Sequence, residues 1–225
     1  KSNPVKNTIT IASGVGTAEQ PCRITLRDVA IDVASQGQTP ALLVGSGAVV
    51  VVTLEGSNTL LSGPNCAGLQ AEGSWTQGAD GSVAAARTPP ATVTLTGPGS
   101  LLAQATSNGA GIGGGKSKAA GQIAIAGGHI EAVGVQGAGI GAGGNPACGG
   151  GRITVTGGDV TARASGLDAA IGGCGARTYD PSVDLSAWAM GCAGGTITLT
   201  GGTVRAYSDM GAAIGGGAVY DGLRG

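Results

Sequence analysis

The sequence predicts an all-β fold: a single right-handed parallel β-helix of about seven coils with three strands per coil. Three observations predict it. A short alternating strand ending at glycine recurs along the chain. A second strand and a glycine-alanine strand follow it at near-constant spacing. The variable insertions fall in one segment of the repeat.

The first strand of the repeat is clearest in Thr92-Val-Thr-Leu-Thr-Gly97, Gln122-Ile-Ala-Ile-Ala-Gly127, Arg152-Ile-Thr-Val-Thr-Gly157 and Thr196-Ile-Thr-Leu-Thr-Gly201. Alternation with period 2 is the signature of a strand with one buried face. The second strand follows at Ser100–Ala103, His129–Ala132, Asp159–Ala162 and Thr203–Ala206. The third is Gly109–Gly113, Gly137–Gly141, Asp168–Gly172 and Gly211–Gly215, whose small inward residues Ala110, Ala138, Ala169 and Ala212 allow close approach to the core. Upstream, Arg23–Leu26 opens a unit closed by Pro40–Leu43, Val52–Leu54 opens another closed by Ala67–Leu69, and Thr8–Ile11 is a partial first coil. From strand one to strand three the pairs Ile24/Leu42, Val52/Leu69, Val93/Ile112, Ile123/Ile140, Ile153/Ile171 and Ile197/Ile214 are separated by 17 to 19 residues. The return to the next strand one is short after Ile112 and Ile140 but long after Leu69 and Ile171, so insertions gather at one corner.

Composition agrees with a thin core and excludes several functions. Of 225 residues 47 are glycine, none is phenylalanine and aromatics make up 2%. The net charge of -1 and the lack of a basic cluster argue against nucleic acid. The longest apolar run, Ala48–Val52, is far shorter than the roughly 20 residues of a membrane span. Residues 1–225 read as one β-helix domain, with a coil open beyond Gly215 that would suit a piece of a longer solenoid.

The long return segments, Gly73–Pro90 and Cys174–Cys192, carry both tryptophans, Trp75 and Trp188. Between them lie two short returns, so the edge should dip between two walls about 15 Å apart at about 4.8 Å per coil. Sugar rings present apolar faces ringed by hydroxyls, which exposed aromatic rings and polar neighbours suit. Trp75, Trp188 and Tyr179 are the stacking candidates, and Asp80, Arg87, Lys116, Lys118, Arg177, Asp180 and Asp184 the polar ones. The bland alternative has each indole folding its loop onto the solenoid. A Thr-x-Thr ladder of the kind that could face ice is broken by Ala124, Ala126, Arg27 and Glu55.

No catalytic set assembles: the lone histidine, His129, lies at a corner beside Asp159 and Thr203, and Glu131 beside Thr161 and Arg205. Asp28 with Asp32, and Asp180 with Asp184, are the sparse acidic pairs available to a cation. Of five cysteines, Cys148 and Cys192 stand at equivalent positions five residues before Ile153 and Ile197, which suits a disulfide between coils. Cys174 and Cys192 bracket the long loop and form the rival pair. Either bridge implies an oxidising compartment. No Cys-x-x-Cys or partnering histidine points to a metal site.

From Arg23 to Glu72, the run Ile24-Thr-Leu-Arg-Asp-Val29, Pro40-Ala-Leu-Leu43 and Val52-Thr-Leu-Glu-Gly-Ser-Asn-Thr-Leu60 resembles the right-handed β-helix carbohydrate-binding domains of polysaccharide-degrading bacteria. That family resembles pectate lyases in fold. The coils beginning at Gly109–Gly115 are similar to glycine-rich repeats of large bacterial cell-surface proteins. These resemblances imply a secreted or cell-surface protein that binds a polysaccharide or glycan, with calcium as the one cofactor they bring in. They leave two alternatives: a structural stalk of an adhesin or phage spike, with self-association or a larger parent protein, and a polysaccharide lyase or hydrolase.

Overall fold

The computed structural model describes residues 4–73, 75–77, 83–85, 88–144, 149–177 and 192–220. Strand β1 (Ile9–Ile11) precedes six coils of three strands. Coil 1 is β2 (Cys22–Arg27), β3 (Ala30–Asp32) and β4 (Leu42–Val44); coil 2 is β5 (Val49–Glu55), β6 (Ser57–Leu61) and β7 (Leu69–Ala71). A hairpin, β8 (Trp75–Gln77) and β9 (Val83–Ala85), interrupts the winding. Coil 3 is β10 (Thr92–Thr96), β11 (Ser100–Gln104) and β12 (Ile112–Gly113); coil 4 is β13 (Gln122–Ile125), β14 (His129–Gly134) and β15 (Ile140–Gly141). Coil 5 is β16 (Arg152–Val155), β17 (Asp159–Ala164) and β18 (Ile171–Gly172), after which comes β19 (Ala176–Arg177). Coil 6 is β20 (Thr196–Leu199), β21 (Thr203–Ser208) and β22 (Ile214–Gly215), followed by β23 (Val219–Tyr220).

Equivalent strands stack in coil order into three parallel sheets: β2-β5-β10-β13-β16-β20, β3-β6-β11-β14-β17-β21 and β1-β4-β7-β12-β15-β18-β22. This is the parallel β-helix that the repeats predict. Each coil presents its alternate apolar residues inward, so Val52, Leu95, Ile125 and Val155 lie in one fully buried file and Leu101, Ile130 and Val160 in another. Every fully buried apolar side chain is removed from water at about 25 cal/mol per Å², which is the main force holding successive coils together.

One register differs from the sequence reading. Val93 pairs with Val50, not with Val52, and Leu95 takes Val52 as its partner. Strand β5 buries Val50, Val52 and Leu54 alike, so its inward face is the same after a slip of two residues. Only the three-dimensional stacking selects between the two alignments. The shift also moves the threonine rows: Thr94 lies beside Val51, while Thr25, Thr53 and Thr96 share one row.

The glycine after the isoleucine in each of β12, β15, β18 and β22 has a specific cause. Gly113, Gly141, Gly172 and Gly215 have φ of 135°, 142°, 133° and 138°. A Cβ on Gly113, Gly141 or Gly172 would stand 2.0 Å from the carbonyl oxygen of the glycine in the next coil. Positive φ and direct backbone contact leave room for no other residue.

Candidate functional site

The corner between the third sheet and the first carries both long insertions, and each is pinched where it leaves the solenoid. After β7 the chain runs through Glu72 and Gly73, which lie against the return turn of coil 3: Glu72 bridges Ala120, and Gly73 N–H donates to Ala119 O at 2.8 Å. Strands β8 and β9 then pair antiparallel, Trp75 opposite Ala85 and Gln77 opposite Val83. The stem closes where Ala91 N–H donates to Glu72 O at 3.0 Å. A short antiparallel pair has little to bury by itself, so these base contacts fix where the hairpin stands.

The second insertion is closed in a similar way. Cys192 N–H donates to Cys174 O at 3.1 Å, and the Sγ atoms of the two residues stand 2.6 Å apart. Both side chains are buried, and with Ala119 and Ala142 they form a small core of their own beneath this corner. Strand β19 leaves the corner beside β23, with Arg177 opposite Tyr220.

Between the two bases the short returns stack on one another. Lys116 N–H donates to Asn65 O, Ser117 N–H to Gly144 O, and Gly143 N–H to Lys118 O, at 2.8 to 3.0 Å. Ser117 adopts φ of 59°, which turns the chain sharply and leaves Lys116, Ser117 and Lys118 exposed. The Lys118 ammonium lies 3.6 Å from Glu72, whose other carboxylate oxygen accepts from Gln70 Nε2 at 2.8 Å. Gln70 in turn accepts the Ala67 N–H through Oε1. Gln70 and Glu72 therefore orient Lys118 at the foot of the hairpin, a role the sequence reading missed. Their signal was available in the polar residues that close Leu69-Gln-Ala-Glu72, at the start of the long return.

Of the residues read from the sequence as ligand-binding, the structure brings the backbone of Trp75 and the exposed Lys116 and Lys118 to this one corner. Arg177 lies at the second insertion's base. Asp80, Arg87, Tyr179, Asp180, Asp184, Trp188 and Cys148 lie outside the described residues.

Burial and the Glu72 carboxylate push the Cys66 thiol up to about 11, which keeps it protonated and unreactive. The acidic pair Asp28 and Asp32 is engaged elsewhere. Asp28 accepts from Ser57 N–H, while Asp32 accepts from Ala34 N–H and faces Lys6 at 3.8 Å. Among the described residues no group of three His, Cys, Asp or Glu side chains converges as a metal site would require.

The outer face of the second sheet is a second polar region. His129 pairs with Asp159, Nδ1 to Oδ2 at 3.2 Å, and Asp159 also takes Arg205. Arg163 lies 3.7 Å from Glu131 and 4.5 Å from the centre of the Tyr207 ring. Beside His129 a shallow depression of about 530 Å³ is lined by Glu55, Gly56, Pro98, Gly99 and Ser100. Its charges are paired with one another across neighbouring coils, Arg27 with Glu55 included, an arrangement that occupies them in the sheet surface.

Comparison with known proteins adds to the fold. A family model described as "Beta helix repeat" matches residues 123–144, 153–176 and 194–218, the segments that hold coils 4 to 6. Searches of curated proteins and of solved structures each found no match. Together the repeat match and the three parallel sheets support the right-handed β-helix family as the one this chain is similar to.

Proposed function

We propose that the chain is an extracellular, non-catalytic module that binds a polysaccharide along the corner between its two long insertions. The observation that supports this reading is the shared origin of the insertions. One is an antiparallel hairpin bearing Trp75, the other begins and ends at Cys174 and Cys192, and the turn of coil 3 between their bases exposes Lys116 and Lys118. An elongated ligand lying along the corner would meet aromatic surface at the walls and hydrogen-bond donors on the floor, the combination by which sugar faces and hydroxyls are recognised.

A glycan array screened with and without calcium tests it. The expected result is retention of one class of polysaccharide, with a loss of at least about tenfold for Trp75→Ala or Trp188→Ala, the equivalent of about 1.4 kcal/mol. Lys116→Ala should weaken binding less. Retention of no glycan, or unchanged binding by both tryptophan variants, would remove the corner as a sugar site.

A second reading, a structural spike or adhesin β-helix that self-associates, is favoured by apolar side chains exposed on coil 6. Leu199 and Ile214, at positions that are buried in earlier coils, are 42% and 43% exposed, and Met210 is 60% exposed. Absence of glycan binding together with a multimeric mass in solution would favour it.

A further inference from the structure

We propose that Cys174 and Cys192 are a covalent cross-link site: a disulfide between them staples the base of the second insertion and leaves Cys66 as a spectator thiol. This does not rest on the sugar reading, since the bridge would fix the insertion whatever the corner binds.

The two residues are 18 apart in sequence, yet share a backbone hydrogen bond from Cys192 N–H to Cys174 O. Their sulfurs are in direct contact, and both side chains are buried, 0% and 1% exposed; among the described residues they share a small apolar core with Ala119 and Ala142. The surrounding backbone also holds the pair in place. Gly217 N–H donates to Cys192 O, Gly173 N–H donates to Gly215 O, and a Cβ on Gly173 would stand 2.4 Å from Cys192 O. A bridge needs the two Cα atoms within about 7 Å of each other, a condition met by residues joined through their main chains.

The remaining described thiols are poor competitors. Cys22 lies on β2 and Cys66 three residues before β7, in coils 1 and 2, whereas Cys174 follows β18 in coil 5. Coil stacking at about 4.8 Å per coil places both well beyond bridging distance of the pair. The Cys66 thiol is also held protonated, which removes the thiolate that exchange requires.

The oxidant is a disulfide, either a small molecule such as oxidised glutathione or a protein oxidase. One cysteine of the pair, as thiolate, attacks the donor disulfide, forming a mixed disulfide and releasing one thiol. The other cysteine, as thiolate, then attacks the protein sulfur of that mixed disulfide and releases the second thiol. Two protein thiols are oxidised, one disulfide is reduced to two thiols, and the two protons finish on the released thiols.

Peptide mapping of the whole chain, secreted through an oxidising compartment or refolded in a glutathione redox buffer, tests the assignment. The protein is denatured and alkylated before and after reduction, then digested. The expected result is a linked peptide pair holding Cys174 and Cys192 that separates on reduction, with Cys66 alkylated in both samples. A Cys148→Ser variant should give the same linked pair, and a Cys66→Ala variant likewise. Alkylation of both Cys174 and Cys192 without reduction overturns the proposal. So does a linked peptide joining Cys148 to either of them. Because wild-type protein supplies the decisive map, a variant that fails to fold does not obscure the result.

Discussion

Asn58 occupies a row whose counterparts in the next three coils are Leu101, Ile130 and Val160, so a polar side chain stands where an apolar one is the rule. It is 1% exposed and fully used: Oδ1 accepts from Val29 N–H, while Nδ2 donates to Glu55 O and Ser100 O. One amide thus ties three successive coils at their first corner. Asn58→Ala should cost about 3 kcal/mol in denaturant unfolding, since buried backbone groups left unpaired cost about 1–3 kcal/mol each. Asn58→Leu restores the volume and apolar character of the row but not the bonds, so it should still cost at least about 1 kcal/mol. Wild-type stability in the leucine variant would show that packing, not hydrogen bonding, governs the site. Cys66 makes a second test at this scale. Its folded value near 11 lies above the unfolded value of 9.0. Below pH 9 both states hold the proton and stability is indifferent to pH. Between about 9 and 11 the unfolded state loses it first, so stability falls as pH rises. The loss of melting temperature across that window should be larger in the wild type than in Cys66→Ala, which lacks the group. Asn58 was visible in the sequence only as one polar letter in a strand. Its task could not be read there, because its three partners come from segments up to 42 residues away.

At the scale of the strand and the coil, the Ile-Gly pair of the third sheet is the best test of stacking. Gly141 and Gly215 share nearly the same φ, 142° and 138°, but differ in what lies above them. A Cβ on Gly141 would meet the Gly172 carbonyl oxygen at 2.0 Å, whereas one on Gly215 finds, among the described residues, only the Ala212 Cβ at 3.5 Å. Gly215→Ala should therefore cost only the strain of positive φ, about 1–2 kcal/mol. Gly141→Ala should cost at least about 2 kcal/mol more, because two coils must part to admit the methyl group. Equal losses in chemical denaturation would mean that the backbone contact between coils does not limit this position. The strands themselves were legible in the sequence because inward apolar residues and corner glycines recur together. The register at β5 was not, since Val50, Val52 and Leu54 offer equivalent inward faces and a period of 2 cannot choose among them. The site was legible in part for the same reason. Recurrence marks the coil and so exposes what departs from it, which located the insertions at one corner. What pinches them, Glu72 with Ala91 and Cys174 with Cys192, depends on contacts that no repeat encodes.

For the whole molecule, stability is shared between neighbours along a line, because each coil touches only the coils before and after it. Coils 3 to 5 have a partner on both sides in all three sheets, while the described strands of coil 6, β20, β21 and β22, end their sheets and have a partner on one side only. The two ends are not alike. Near the start Ile11, Leu26 and Ile31 are 7%, 2% and 2% exposed, whereas Leu199 and Ile214 in coil 6 are 42% and 43% exposed. Side-chain burial is thus reduced at coil 6, and local opening there should require less free energy than in the middle. Hydrogen exchange read by mass spectrometry should show it as a gradient. Amides of β13, β14, β16 and β17 should exchange slowest, and those of β20 and β21 at least about tenfold faster, a difference of about 1.4 kcal/mol in opening free energy. The gradient should be independent of protein concentration if coil 6 is solvent-covered in solution. Protection of β20 and β21 equal to that of β16 and β17, growing with concentration, would mean instead that a second copy completes the stack on this side, and would turn the argument toward the structural reading of the solenoid.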